Sequence, residues 1–303
     1  MKAERIEVPL STGRETPVHP LPDGSCDTHF HIFDPVNFPY WSGDTRNQPP
    51  AEINAYQLLQ RRLGLSRAVL VTPSAYQDNN ACTLHALKVM GKASTRAIVV
   101  VKPDITDDQL QQMDQLGVRG IRFNFASLGG DTSGIAQTVK TMARRIAPMH
   151  WVMSFWMAPS LIVSLADELA KLPVPILFDH QGHIDPRVGV NDPAYQVICN
   201  LQNAGKAWVD VSAPYIDTQT GADTDTVRLG KSFIQNNYQQ VIWGTDWPHT
   251  TEWRRLRVCP DDAELANFLW DQVGHDDEKY HQILVDSPAK LFGFSNWQLK
   301  VSN

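Results

Sequence analysis

The run Cys26-Asp27-Thr28-His29-Phe30-His31-Ile32-Phe33 sets two histidines two residues apart in an apolar stretch. Side chains in a β-strand alternate between faces, so His29 and His31 point the same way, about 7 Å apart. Two imidazoles converging from one strand end can bind a metal, or polarise a carbonyl and hold a water. The alternative is a strand that merely contains two histidines, and the rest of the chain decides between them.

Comparable groups recur further along: Ser74 and Tyr76, Arg122 and Asn124, Asp179-His180 with Gly182-His183, Ser212 and Tyr215, and Asp246 with His249. Each set stands at or just past the end of a short apolar run. The runs cover 25–33, 68–73, 96–102, 120–125, 151–156, 175–180, 207–212 and 241–246. Most are rich in Val, Ile and Phe and too short for helices, as buried parallel strands are.

Helical patterns lie between them, at 54–63, 80–91, 106–116, 135–146, 160–171, 193–203 and 225–236, with further helices at 262–273, 277–285 and 288–292. Asp107 and Asp108 sit in the first turn of the helix at 106–116, and a glycine ends both that helix and the one at 80–91. Strand and helix alternating eight times predicts an α/β fold, a single-domain (β/α)8 TIM barrel over 25–303 after a Pro-rich leader at 1–24. An open doubly wound sheet fits less well, because no GxGxxG follows any strand. In such a barrel, functional groups gather at the C-terminal ends of the strands, where these polar residues fall.

Composition narrows the function classes. The chain has 303 residues with 27 Lys and Arg against 33 Asp and Glu, a net charge of −6. That balance gives no footprint for nucleic acid. No apolar run approaches the ~18 residues of a membrane span, and no basic-then-apolar signal opens the chain, so a cytoplasmic location is expected. Cys26, Cys82, Cys199 and Cys259 form no CxxC pair and read as small buried residues.

His29, His31, His180 and Asp246 admit two machines. As ligands they suit one Zn²⁺ with an open position for water. Without a metal, ionised Asp246 accepts a proton from an attacking water while the histidines polarise a carbonyl and stabilise the oxyanion. Arg122 offers a planar fork for a substrate carboxylate. Tyr76, Trp156 and Trp247 read as pocket walls, and His183 and His249 as residues of the loops beyond the strands.

Four motifs carry a family resemblance spanning 26–292: Asp27-Thr28-His29-Phe30-His31, Gly120-Ile121-Arg122-Phe123-Asn124-Phe125, Phe178-Asp179-His180-Gln181-Gly182 and Trp243-Gly244-Thr245-Asp246-Trp247-Pro248-His249. They resemble the amidohydrolase superfamily, in the subgroup that includes 2-pyrone-4,6-dicarboxylate hydrolases and sugar-acid lactone enzymes. The resemblance implies a hydrolase that opens a small carboxylated lactone with water activated by Asp246, without a cofactor. His29, His31 and His180 complete the catalytic set. Ser74 and Arg122 match substrate-contacting positions, and Asn124, His183, Tyr215, Tyr76 and His249 are further substrate-binding candidates. A mononuclear zinc hydrolase or decarboxylase and a lactone isomerase are the alternatives.

The departures bear on substrate. His183 stands where the pyrone hydrolases have an arginine, and Ala213-Pro214-Tyr215-Ile216-Asp217 where another arginine follows the seventh strand. Leu128-Gly129-Gly130 lacks a basic residue, and Phe155 replaces a tyrosine. Each lost charge-assisted hydrogen bond is worth about 1.5–3 kcal/mol, so a less charged lactone than the pyrone dicarboxylate is expected. The C-terminal stretch is similar to that of aldaric-acid lactone isomerases, but both histidines and Asp246 are intact, which favours net hydrolysis. A small molecule is the expected partner, with no nucleic acid or membrane, and no oligomeric state is implied.

Overall fold

A computed structural model describes residues 5–45, 48–125, 134–220, 224–256 and 258–294. Its strands are β1 (Cys26–Phe30), β2 (Arg67–Val71), β3 (Thr95–Val99), β4 (Val118–Asn124), β5 (Val152–Trp156), β6 (Ile176–Phe178), β7 (Ala207–Asp210) and β8 (Val241–Ile242). They pair in parallel, in sequence order. Three backbone bonds bring the chain after β8 back to β1. Thr28 N donates to Trp243 O at 3.1 Å, Asp246 N to His29 O at 2.7 Å and His31 N to Trp247 O at 2.8 Å. The expected (β/α)8 barrel is present.

The surrounding helices are α1 (Ile53–Leu63), α2 (Ala81–Met90), α3 (Asp107–Leu116), α4 (Ile135–Ile146), α5 (Pro159–Ser164), α6 (Ala166–Ala170), α7 (Pro193–Asn203), α8 (Thr224–Asn237), α9 (Thr250–Leu256), α10 (Asp262–Gln272), α11 (Asp277–His281) and α12 (Ser287–Phe292). Local chemistry sets their ends. Thr106 accepts from Gln109 N while Gln109 reaches back to Thr106 N, a capping box for α3. Gly64, at φ 80°, ends α1 in the left-handed conformation that a side chain resists.

The period of two separates the two cores. Cys26, Val69, Ile98, Val152, Leu177, Trp208 and Ile242 fill the barrel interior, closed from below by Leu291, Phe292 and Phe294. Their neighbours, such as Leu70, Val99, Phe155 and Phe178, face the helices in a larger apolar layer. Continuing the inward face upward by steps of two gives Arg122, Ser154, Asp179, Asp210 and Asp246. The site is thus built on the rigid wall of the barrel.

Three expectations shift in detail. The helix expected over 160–171 breaks at Leu165 into α5 and α6. The one expected over 277–285 runs from α11 through a π-helical turn at Gln282–Asp286 into α12. The last strand ladder stops at Ile242, because the following residues bond to β1 and Asp246 turns to φ 56°. Gly244 makes that crossing feasible: a Cβ there would lie 2.5 Å from the His29 nitrogen.

The leader lies against the barrel rather than apart from it. Arg62 donates to the carbonyls of Thr12 and Gly13 at 3.1 Å, and Trp247 Nε1 donates to Pro9 O at 2.9 Å. The four cysteines are buried and unpaired. Among the described residues no helix is long and apolar enough to cross a membrane. Leu128-Gly129-Gly130 falls outside the described residues.

Candidate active site

The strand ends bring His29, His31, His180 and Asp246 together in a buried cluster, each at most 4% exposed. The rings of His29 and His180 are 4.7 Å apart, and those of His29 and His31 5.1 Å. Asp246 Oδ1 lies 3.5 Å from His31 Nε2 and 3.9 Å from His29 Nε2.

Hydrogen-bond partners fix which ring nitrogen carries the proton. His31 Nδ1 is 2.8 Å from the Val71 carbonyl, which only accepts, so Nδ1 donates. His29 Nδ1 faces the Asp210 carboxylate at 3.2 Å and donates likewise. Ser212 Oγ gives its hydrogen to Asp210 at 2.7 Å, and therefore accepts from His180 Nδ1 at 2.9 Å. In the neutral rings, all three Nε2 atoms then present lone pairs. Those of His29 and His180 have no hydrogen-bond partner among the described residues.

Electrostatics divide the histidines. Burial lowers the pKa of His31 and His180, while the Asp246 carboxylate beside them works the other way. Burial opposes charge on His29 too, but the hydrogen bond to Asp210 and the nearby Asp179 charge raise its pKa. Asp246 is buried, yet the His31 contact and the neighbouring imidazoles keep its carboxyl well below the usual carboxylate range.

Beside this cluster, Arg122 Nε donates to Asp179 at 2.8 Å, and Ser154 Oγ to the other Asp179 oxygen at 2.6 Å. Burial works against the Asp179 charge, but Arg122 and the two histidines hold its pKa below the ordinary value. The guanidinium sits 4.8 Å from the Trp156 ring, and its buried Nη2 has no partner among the described residues. His183 stacks on Trp156 with ring centroids 5.0 Å apart, its Nδ1 3.0 Å from Asp217.

A cavity of about 730 Å³ opens next to these groups, lined by Trp41, Ser74, Arg122, Asn124, Phe125 and Trp156 among others. A larger groove of about 1150 Å³ lies against α1, lined by residues such as Asn54 and Arg61; the histidines and Asp246 are in the lining of neither cavity, and Arg122 and Trp156 connect the smaller one to them.

The remaining candidates lie elsewhere. Tyr76 is buried beneath the loop after β1, its hydroxyl accepting from Asp34 N at 3.0 Å. Tyr215 and His249 pack behind Asp246, the tyrosine hydroxyl 2.8 Å from Asp246 Oδ2. Asp210 and Asp27 were not singled out from the sequence, although inward alternation with Ser212 and with His29 was a signal for both. Asp27 accepts from His29 N, Thr245 N, Thr245 Oγ1 and Tyr56 Oη, tying β1 to the eighth strand end.

Four site residues, His180, His183, Asp246 and His249, have φ between 47° and 61°. Such positions cost about 1–3 kcal/mol each and cluster where side chains must be aimed.

Known proteins carry the same arrangement of elements. The chain is 32% identical over 300 residues to the 4-sulfomuconolactone hydrolase of Hydrogenophaga intermedia, covering 97% of this chain and 98% of that protein. It is 30% identical over 289 residues to the 2-pyrone-4,6-dicarboxylate hydrolase of Comamonas testosteroni, covering 91% and 92%. A solved Agrobacterium tumefaciens structure superposes with a TM-score of 0.80 at 24% identity, covering 92% of this chain and 99% of that one. The amidohydrolase family profile matches residues 26–294, and with these likenesses it shows that the chain belongs to the amidohydrolase family.

Proposed function

We propose that the protein is a hydrolase that opens a small anionic lactone, with Asp246 as the general base. The carrying observation is the buried Asp246 carboxylate facing His29 and His31, beside a guanidinium whose Nη2 has no protein partner. Both curated relatives named above are lactone hydrolases matched over nearly their whole length.

Water bound at Asp246 Oδ1 gives up a proton to the carboxylate as its oxygen bonds to the lactone carbonyl carbon. Collapse of the tetrahedral adduct breaks the ring C–O bond. The proton on Asp246 then passes to the departing alkoxide, leaving a hydroxy acid and the carboxylate restored. Arg122 Nη2 holds a carboxylate or sulfonate of the substrate, while Trp156 and Phe125 cover its apolar faces. Ser74 and Asn124 line the same cavity and complete the binding set, with His183 at its edge against Trp156.

The donor set also fits one divalent cation. Nitrogens of His29 and His31 and an oxygen of Asp246 lie within 4.8 Å of one another, and both imidazoles give their Nδ1 protons to protein oxygens, as metal-bound histidines do. His180 Nε2 adds a further lone pair. Such an ion would polarise the lactone carbonyl as a Lewis acid. The family resemblance favours a metal-free site in which the histidines polarise the carbonyl. That role requires a proton on an Nε2, and the bonding at Nδ1 leaves lone pairs there unless a ring is cationic.

Acid release from 4-sulfomuconolactone and 2-pyrone-4,6-dicarboxylate, with metal content measured before and after chelation, tests the proposal. Turnover lost on chelation and restored by Zn²⁺ supports the cation. Full turnover in metal-free protein returns the site to the metal-free mechanism. Failure to open any lactone of a broad panel would sink the hydrolytic reading.

A further inference from the structure

Behind Asp246 stands a line of buried polar groups that the hydrolytic chemistry leaves unused. Tyr215 Oη is 2.8 Å from Asp246 Oδ2 and 2.9 Å from His249 Nδ1, and His249 Nε2 is 3.2 Å from Asp262 Oδ2. None of the four residues is more than 3% exposed. They come from three places in the fold: Tyr215 follows β7, Asp246 and His249 follow β8, and Asp262 opens α10.

Counting donors gives the line a direction. An ionised carboxylate only accepts, so the Tyr215 hydroxyl hydrogen goes to Asp246. The tyrosine oxygen then accepts from His249 Nδ1, which must carry a proton, and the Nε2 to Asp262 Oδ2 link closes through a second proton, held either by the imidazole or by the Asp262 carboxyl. The reverse order, with Tyr215 donating to His249, would leave two oxygens facing each other through lone pairs at 2.8 Å. The backbone reinforces the arrangement, since His249 N donates to Asp246 O at 2.8 Å and both residues adopt positive φ.

We propose that Tyr215, His249 and Asp262 form a directional hydrogen-bond chain that positions the catalytic carboxylate. It pins Oδ2 of Asp246, so that Oδ1 is the oxygen presented to the histidines and the attacking water. The role rests on Asp246 being the base proposed above. Tyr215 and His249 are positioning residues: Tyr215 meets the carboxylate on Oδ2, the oxygen turned away from His29 and His31, and His249 bonds the tyrosine. A carboxylate free to rotate would spend part of its time with neither oxygen aligned for proton transfer, which lowers the rate without altering binding.

The test uses the full-length protein in two arms. Nitrogen-15 NMR of labelled histidines, with the His249 signals assigned by their loss in His249→Asn, is expected to show a proton on His249 Nδ1. An unprotonated Nδ1 overturns the chain, whatever the protein's substrate. In the second arm, Tyr215→Phe is assayed on 4-sulfomuconolactone and 2-pyrone-4,6-dicarboxylate. We expect kcat to fall about 10- to 100-fold with KM little changed. His249→Asn, whose amide can still donate towards Tyr215 and whose side chain tolerates positive φ, is expected to lose less. Native kcat in Tyr215→Phe, or a loss confined to KM, overturns the positioning role. If the native protein opens neither lactone, the hydrolytic reading is what fails, and the NMR arm still decides the chain.

Discussion

Arg96 at the floor of the barrel and Arg122 at its mouth use buried guanidinium groups in opposite ways. At the floor, Arg96 spends Nε, Nη1 and Nη2 on the carbonyls of Phe292, Lys92, Thr95 and Gly293, and lies 4.4 Å from the Phe294 ring. Those bonds lock the C-terminal segment under the sheet. At the mouth, Arg122 spends Nε on Asp179 and keeps Nη2 buried without a protein partner, beside two histidine Nε2 atoms in the same state. An unmade buried hydrogen bond costs about 1–3 kcal/mol, so folding alone does not favour leaving one. An unpartnered nitrogen alone does not mark a ligand site, since Arg67 Nη1 at the floor is also buried without a partner among the described residues; Arg122 differs in lining a cavity, where the proposed function gives it the substrate anion.

Variants at the two ends should therefore fail differently. Of the supporting residues, Asp210 is expected to matter most to turnover, since Asp210→Asn loosens the bonds that fix His29 and, through Ser212, His180. Outer partners of this kind are worth about 10- to 100-fold in activity, measured as kcat on the best lactone; a native rate would remove Asp210 from the site. Arg122→Lys keeps the charge beside Asp179 but loses the fork. KM should rise about tenfold, near 1.4 kcal/mol, and an unchanged KM would place the substrate anion elsewhere.

The Asp210 variant also makes a pH prediction. His29 has its pKa raised above the ordinary histidine value partly by Asp210. Activity that needs neutral His29 is then lost as pH falls through that raised value. Removing the Asp210 charge lowers the pKa, so the acid limb of kcat/KM should move to lower pH; a shift the other way would contradict the assignment. The smallest effect on turnover belongs to the floor. Arg96→Met should reduce stability by about 1–3 kcal/mol as carbonyls lose their donors, seen as a lower Tm, while kcat per folded molecule stays native. A fall in kcat there would blur the division between the two ends.

Much of this was legible in the sequence because a barrel repeats one rule. Period-two runs separated by helical patterns placed His29, His31, Arg122, His180 and Asp246 at strand ends, and those five do converge. What the pattern does not carry is depth behind the site. Tyr215 and His249 were read as substrate contacts because they follow strand ends, but positive φ at Asp246 and His249 turns the chain so that both lie beneath the carboxylate. Asp210 was passed over as one polar residue in an apolar strand, although its step-of-two relation to Ser212 puts it on the inner face. The break at Leu165 likewise leaves no mark in a helical pattern that reads continuously across it.

The central claim is that Asp246 takes the proton from the water that opens a lactone. It is tested most directly by comparing acid release from the preferred lactone by the native protein and by Asp246→Asn, alongside binding of that lactone to both. Loss of turnover by about 10³-fold or more with the lactone still bound is the expected result. Turnover within tenfold of native would contradict it.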